Sequence, residues 1–280
     1  VNWPFRLGRT RPHPAQLEAM PRFGAYRVGS SLVVPDAFDF GAMCMPALET
    51  MLANGPDSSA PVGAQGGLGD CTCAAVAHGI DVVTAGGGQP VTITSAQTVR
   101  LYELACNYQL GNPATDQGGN ELSVISYVAA HGIDGQGLHQ FAGAATLDAT
   151  NVQECKEALF VAGWLPFCAE LPDSYMSTPA NGVWDTVGAG DSNLGHCFPA
   201  VGFTTNCPNG KAAYKVITWG GVRWYTVDAA AEYSAERNGG SANLALSKEW
   251  LSVQTGQAPN ALDWVSLCQR FLEDVGGVLS

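Results

Sequence analysis

Gln65-Gly66-Gly67-Leu68-Gly69-Asp70-Cys71-Thr72-Cys73-Ala74 is the stretch on which the reading of this chain turns. Its glycines make a loop able to fold back. Beyond it Ala74, Ala77 and Ile80 recur near helical spacing, so a buried helix is expected to start near Cys71. A thiol is a good nucleophile at neutral pH only when its thiolate is stabilised, as it is at a helix N-terminus or beside an imidazolium. A side-chain amide at Gln65, with the Cys71 backbone N–H, would supply two donors to a developing oxyanion. Taken alone, Cys71 would more often be a buried core thiol. Cys73, two residues into the helix, is expected to point into the core.

Outward from this stretch the chain reads as helices first and strands later. Thr94-Ser95-Ala96 opens a second helix to about Tyr108, with Ser95 as its N-cap. Glu121 to Ala130 and Glu154 to Ala162 read as two more. From Leu165 the pattern changes to short β-branched and aromatic runs bounded by Gly and Pro: Leu165–Leu171, Cys197–Phe203 and Tyr214–Trp219. These are expected to form one antiparallel sheet. Asn260 to Val275 has an Asn N-cap and apolar Leu262, Val265, Cys268 and Leu272, the pattern of an amphipathic helix. The class is α+β, with a cleft between the halves. His196, at the start of one predicted strand, is placed to supply a base.

Composition narrows the function classes. Thirteen basic residues face 25 acidic ones, for a formal net charge of -12, which argues against nucleic-acid binding because phosphates need Lys and Arg. No run of about 18 apolar residues is present, so no membrane-spanning helix is expected. Nine cysteines is an odd number without the spacing of a disulfide framework. Cys71 and Cys73 with His196 and Cys197 would be a poor structural zinc set, because Cys-x-Cys is the wrong spacing. No metal or cofactor is therefore expected. Asp116, Asp185 and Asp191 read as solvated loop carboxylates, and His78, His131 and His139 as ordinary surface or helix-end histidines.

The segment from Gln65 to Cys71 resembles the active-site segment of papain-like cysteine peptidases, which runs Gln-Gly-x-Cys-Gly-x-Cys. Further segments follow in that family's order. Val34-Pro35-Asp36-Ala37-Phe38-Asp39-Phe40 is similar to the start of its mature domain, and Gln117-Gly118-Gly119 to its Asn-Gly-Gly segment. Gly195-His196-Cys197-Phe198-Pro199-Ala200-Val201-Gly202-Phe203 resembles its histidine strand, and Ile217-Thr218-Trp219-Gly220 its Asn-Ser-Trp-Gly. The resemblance covers roughly residues 34 to 225. It implies a papain-like fold, with a helical left half that carries the nucleophile helix and an antiparallel sheet in the right half. It also implies hydrolysis of peptide bonds in a peptide or protein substrate by Cys71, with His196 as general base and acid and Gln65 in the oxyanion hole. Gly118 and Gly119 would bind the substrate backbone.

The departures carry further expectations. The family's orienting Asn falls on Ile217, which cannot hydrogen-bond an imidazole; Thr218 is the nearest polar substitute, with Trp219 beside it. Two cysteines that form a disulfide near the family's site fall on Leu68 and Asp116, which fits a reducing compartment. Residues 1–33 are too few for the inhibitory prosegment of secreted relatives, so the expectation is an ungated enzyme, cytoplasmic or virion-associated and of bacterial or phage type. The organisation is read as an extended N-terminal arm at 1–33, able to dock on a neighbouring chain, a peptidase domain at 34–235, and a C-terminal extension with an amphipathic helix at 236–280. Ile217 also supports a second reading, a papain-fold structural or binding module without turnover, for example in a phage particle.

Overall fold

Small residues make the central helix possible. In a computed structural model of the chain, which describes residues 9–20, 22–23, 34–44, 68–191 and 193–250, a helix of 16 residues runs Cys71–Gly86 with 14 of them buried. A helix apolar on all sides belongs inside. Ala74, Ala75, Ala77 and Gly79 let it approach its neighbours closely: a Cβ on Gly79 would fall on the indole of Trp164. In chain order the helices are α1 (Pro14–Ala19), α2 (Cys71–Gly86), α3 (Ser95–Cys106), α4 (Glu121–His131), α5 (Val152–Ala162) and α6 (Val227–Tyr233).

α2 to α5 lie where the apolar spacing predicts them. The N-cap of α3 is Thr94 rather than Ser95: its hydroxyl accepts the Gln97 N–H, and Gln97 returns a bond to the Thr94 N–H, a reciprocal box that Ser95 could not close. The arm is only partly extended, because His13 caps the short α1 with Gln16 as reciprocal partner. His78 is not a surface residue; it sits buried in the middle of α2.

The strands β1 (Ala37–Asp39), β2 (Phe141–Leu147), β3 (Leu165–Glu170), β4 (Val183–Trp184), β5 (Gly195–Thr204), β6 (Ala213–Thr218), β7 (Gly221–Thr226) and β8 (Ser241–Ser247) form one sheet in the order β2-β8-β3-β5-β6-β7-β4. β1 adds to β5 beyond the reach of β3, with Phe38 opposite Phe203. All pairings are antiparallel except β4 with β7. β8 belongs to the segment read from sequence as a C-terminal extension, yet it stands between β2 and β3, so the folded body continues past residue 235.

α2 packs across β5, which sets the helix that Cys71 opens against the strand that carries His196. Behind the sheet, Trp184, Phe198, Tyr225 and Tyr175 make an aromatic core. Gln65 and the helix expected at 260–275 lie outside the described residues. Among the described residues no helix is long and apolar enough to cross a membrane.

Candidate active site

Cys71 is the first residue of α2, where the leading amides have no acceptor inside the helix. The amides of Cys73 and Ala74 close on the Asp70 carbonyl at 2.9 Å each. The Cys71 side chain is buried in a small cluster with Ala75, Cys168 and Cys197. Cys168 and Cys197 face each other across β3 and β5, and none of the seven cysteines whose side chains are described forms a disulfide. Burial pushes the Cys197 thiol well up, with the Cys168 hydrogen bond and neighbouring Cys71 adding to it. Cys73 points instead into the main core, where burial and Cys106 hold its thiol up.

The loop entering α2 is held by Asp116. Its carboxylate accepts the Gly69 N–H at 3.0 Å and the Tyr102 hydroxyl at 2.8 Å, and the Tyr102 oxygen in turn accepts the Gly118 N–H at 2.9 Å. Asp116 is thus no solvated loop carboxylate. It joins the entry of α2 to the Gly118 segment.

His196 follows Gly195 at the start of β5 and is buried. Its Nε2 stands 2.5 Å from Thr218 Oγ1, and its ring stacks on Trp219 at 4.6 Å between centroids. Its Nδ1 is buried without a hydrogen-bond partner among the described residues. With the proton on Nε2 the hydroxyl accepts, and Nδ1 presents its lone pair. Burial first, then the positive Arg223, lowers the imidazole to about 3, so it is neutral across the physiological range. No hydrogen bond joins His196 to Cys71 among the described residues: Cys71 packs on Cys197, successive side chains of a strand point to opposite faces, and the His196 ring lies against Phe198 and Trp219.

Trp219 owes its position to a tight turn. β6 and β7 are joined by Trp219 and Gly220, with φ of 47° and 64°. Two positive φ values in a two-residue hairpin match the right-handed twist of the strands. Gly220 adopts this freely, whereas a Trp pays for it in strain. Arg223 steadies the turn by donating to the Thr218 carbonyl at 2.7 Å and lying over the rings of Trp219 and Trp184. Sequence reading gave no role to Arg223 or Asp116. Asp116 bonds residues distant in sequence, and the nearer partners of Arg223 meet it only once the hairpin has folded.

Arg9 and Thr10 of the chain's own arm lie along the Gly118–Gly119 segment that the sequence suggests for substrate. The Gly195 carbonyl accepts the Arg9 N–H at 3.2 Å, and the Gly119 carbonyl accepts the Thr10 N–H at 2.9 Å. Arg9 pairs with Gly119 as a parallel bridge. The described part of the arm packs on its own chain, where Gln16 reaches Ser123 and Asn120 at the start of α4.

No protein-family model and no curated protein matches the chain in sequence. Solved structures do match in fold. The digestive procathepsin L2 of Tenebrio molitor larval midgut superposes with a TM-score of 0.59 at 15% identity, over 86% of this chain and 78% of that one. Xylellain, a cysteine protease from Xylella fastidiosa, gives 0.54 at 11% identity over 86% and 91%. The proform of the ragweed pollen allergen Amb a 11, also a cysteine protease, gives 0.53 at 16% over 80% and 72%. The α+β fold is papain-like, as the motif order implies.

Proposed function

We propose that the chain is a papain-like cysteine peptidase that hydrolyses peptide bonds through an acyl-enzyme on Cys71. The observation that carries this reading is the state of His196: Nε2 is engaged by Thr218, the ring is braced by Trp219, and Nδ1 is left without a partner. One ring nitrogen is thus fixed by a hydroxyl where the family has an amide, and the other keeps its lone pair for a proton; the burial that lowers the imidazole has to be relieved at the cleft for His196 to act as base near neutral pH. His196 takes the Cys71 proton, and the thiolate attacks the carbonyl of the scissile bond. The Cys71 N–H and Gln65 hold the oxyanion, and His196 returns the proton to the leaving amine. Water, deprotonated by His196, then releases the acyl group. Gly119 accepts a backbone N–H of the substrate through its carbonyl, and Gly118 keeps that strand in place.

An epoxide or chloromethylketone thiol reagent tests the proposal. It is expected to modify Cys71 in the native protein faster than Cys73 or Cys268, and Cys71→Ala is expected to remove both labelling and peptide cleavage. Equal labelling of the three cysteines would defeat the reading.

One observation favours a second reading, that of a papain-fold binding module without turnover. The groove is filled by Arg9 and Thr10, and His196 is buried beside it. A labelled Cys71 with no cleavage of any peptide, even after the arm is displaced, is the outcome that reading expects.

A further inference from the structure

The side chain of Arg9 enters a closed, acidic pocket. Its Nε and Nη2 lie 3.4 and 3.3 Å from the two carboxylate oxygens of Glu121, and its Nη1 donates to the Gly239 carbonyl. Glu121 also accepts the Ser241 hydroxyl. Arg9 and Glu121 are both almost wholly buried, at 4% and 2% exposure, although they are 112 residues apart in sequence. The pocket walls come from the start of α4, from the turn before β8 and from β8 itself. Cys168 and Cys197 are close enough to Arg9 to act on its charge. That sets the guanidinium beside the thiol cluster that contains Cys71.

Such a pair is not a surface decoration. A planar guanidinium against two carboxylate oxygens matches in shape as well as charge, and a lysine ammonium would not reproduce it. With the arm withdrawn, Glu121 would be left as a buried acid with only Ser241 to satisfy it, which is unfavourable unless another cation enters. Meanwhile the backbone of Arg9 and Thr10 is held by the carbonyls of Gly195 and Gly119, on the two sides of the cleft. The arm therefore lies in the groove as a bound peptide would, with one side chain anchored in depth.

We propose that this pocket is a recognition site for a guanidinium and that Glu121 is its specificity-determining residue. The proposal rests on the peptidase reading above and names its substrate class, peptides that carry an arginine. Arg9 is the resident occupant that such a peptide must displace.

The test uses the full chain with Arg9→Ala, which empties the pocket, and a fluorescent hexapeptide copying residues 8–13, Gly-Arg-Thr-Arg-Pro-His. By fluorescence polarisation it is expected to bind Arg9→Ala at least about tenfold more tightly than the unsubstituted chain. A peptide with norleucine for the first arginine is expected to bind at least about tenfold more weakly. Adding Glu121→Gln to Arg9→Ala should abolish that preference. Arg9→Met, which keeps the apolar stem, serves as host should Arg9→Ala not fold. Equal affinity for the two peptides, or a preference that survives Glu121→Gln, overturns the proposal. Polarisation needs no turnover, so the two readings fail separately. An arginine preference without Cys71 labelling would keep the pocket and remove the peptidase, whereas normal labelling without the preference would remove the pocket alone.

Discussion

His196 Nε2 and Thr218 Oγ1 stand 2.5 Å apart, and the residue aligned with the family's orienting Asn, Ile217, takes no part. The hydroxyl fixes the ring from one position further along the hairpin. Thr218→Val keeps the shape and removes the acceptor. It is expected to lower kcat/KM on the order of tenfold, the worth of a net hydrogen bond, mainly through kcat. Thr218→Asn should recover much of the loss. A Val variant with unchanged kcat and unchanged pH profile would show that the contact does not orient the base.

Asp116 ties the entry of α2 to the Gly118 segment. Asp116→Ala leaves the Gly69 amide and the Tyr102 hydroxyl without their acceptor. It is expected to cost about 1–3 kcal/mol in stability. Because the tie sits beside Cys71, the rate of thiol labelling should change as well, while Asp173→Ala, at an exposed position after β3, should change neither. Denaturant titration and labelling rates of the two variants check this.

Gly79 lies against Trp164, whose Nε1 donates to the Ala245 carbonyl at 3.1 Å and so cannot easily retreat. Gly79→Ala would ordinarily gain roughly 1 kcal/mol in helix propensity. Here overpacking is expected to outweigh it, at the upper end of about 1–3 kcal/mol. A thermal melt that rises would contradict the packing described.

Two buried groups in α2 give opposite pH signatures. Burial raises Asp81 to about 8, although its Oδ1 accepts the Ile93 N–H at 2.8 Å. A carboxyl raised in the folded state contributes stability below its unfolded value and loses it as pH climbs through the folded one. Asp81→Asn, which keeps the acceptor, should therefore stabilise increasingly from about pH 4 and level off above about pH 8. His78 is lowered to about 4 by burial, and His196 to about 3. These neutral imidazoles contribute stability that is lost as pH falls from their ordinary 6.5 toward those values. Melting temperatures of His78→Gln and the parent should converge at high pH and separate on acidification, with the variant the less acid-sensitive.

The helices, with Cys71 at the start of α2, were legible because local spacing carries them: small apolar residues mark α2, and Gly with Pro bound the strands β3, β5 and β6. β2 and β8 were not. Phe141-Ala142-Gly143-Ala144-Ala145-Thr146-Leu147 and Ser241-Ala242-Asn243-Leu244-Ala245-Leu246-Ser247 contain no Val or Ile and few aromatics, so they lack strand propensity and are held by burial and pairing instead. The pocket was hidden for a different reason. Arg9, Glu121, Gly239 and Ser241 come from three distant parts of the chain, and no local pattern couples them. Thr218 could be named from the motif it follows, but the strained Trp219 turn and the role of Arg223 appear only once β6 and β7 are paired.

The place of β8 bears on how the molecule can be made. Its neighbours β2 and β3 are synthesised roughly 95 and 70 residues earlier; β2 has no strand partner among the described residues until Ser241–Ser247 arrives, and β3, paired with β5 on one side, keeps its other edge open until then. During translation the nascent chain therefore carries two open strand edges, each a template for pairing with another chain. Closure of the sheet by β8 is a late event, and it is the same event that brings Ser241 to Glu121 and completes the pocket for Arg9. Arg9, made long before β8, can find its seat against Glu121 and Gly239 only when the last described strand has left the ribosome.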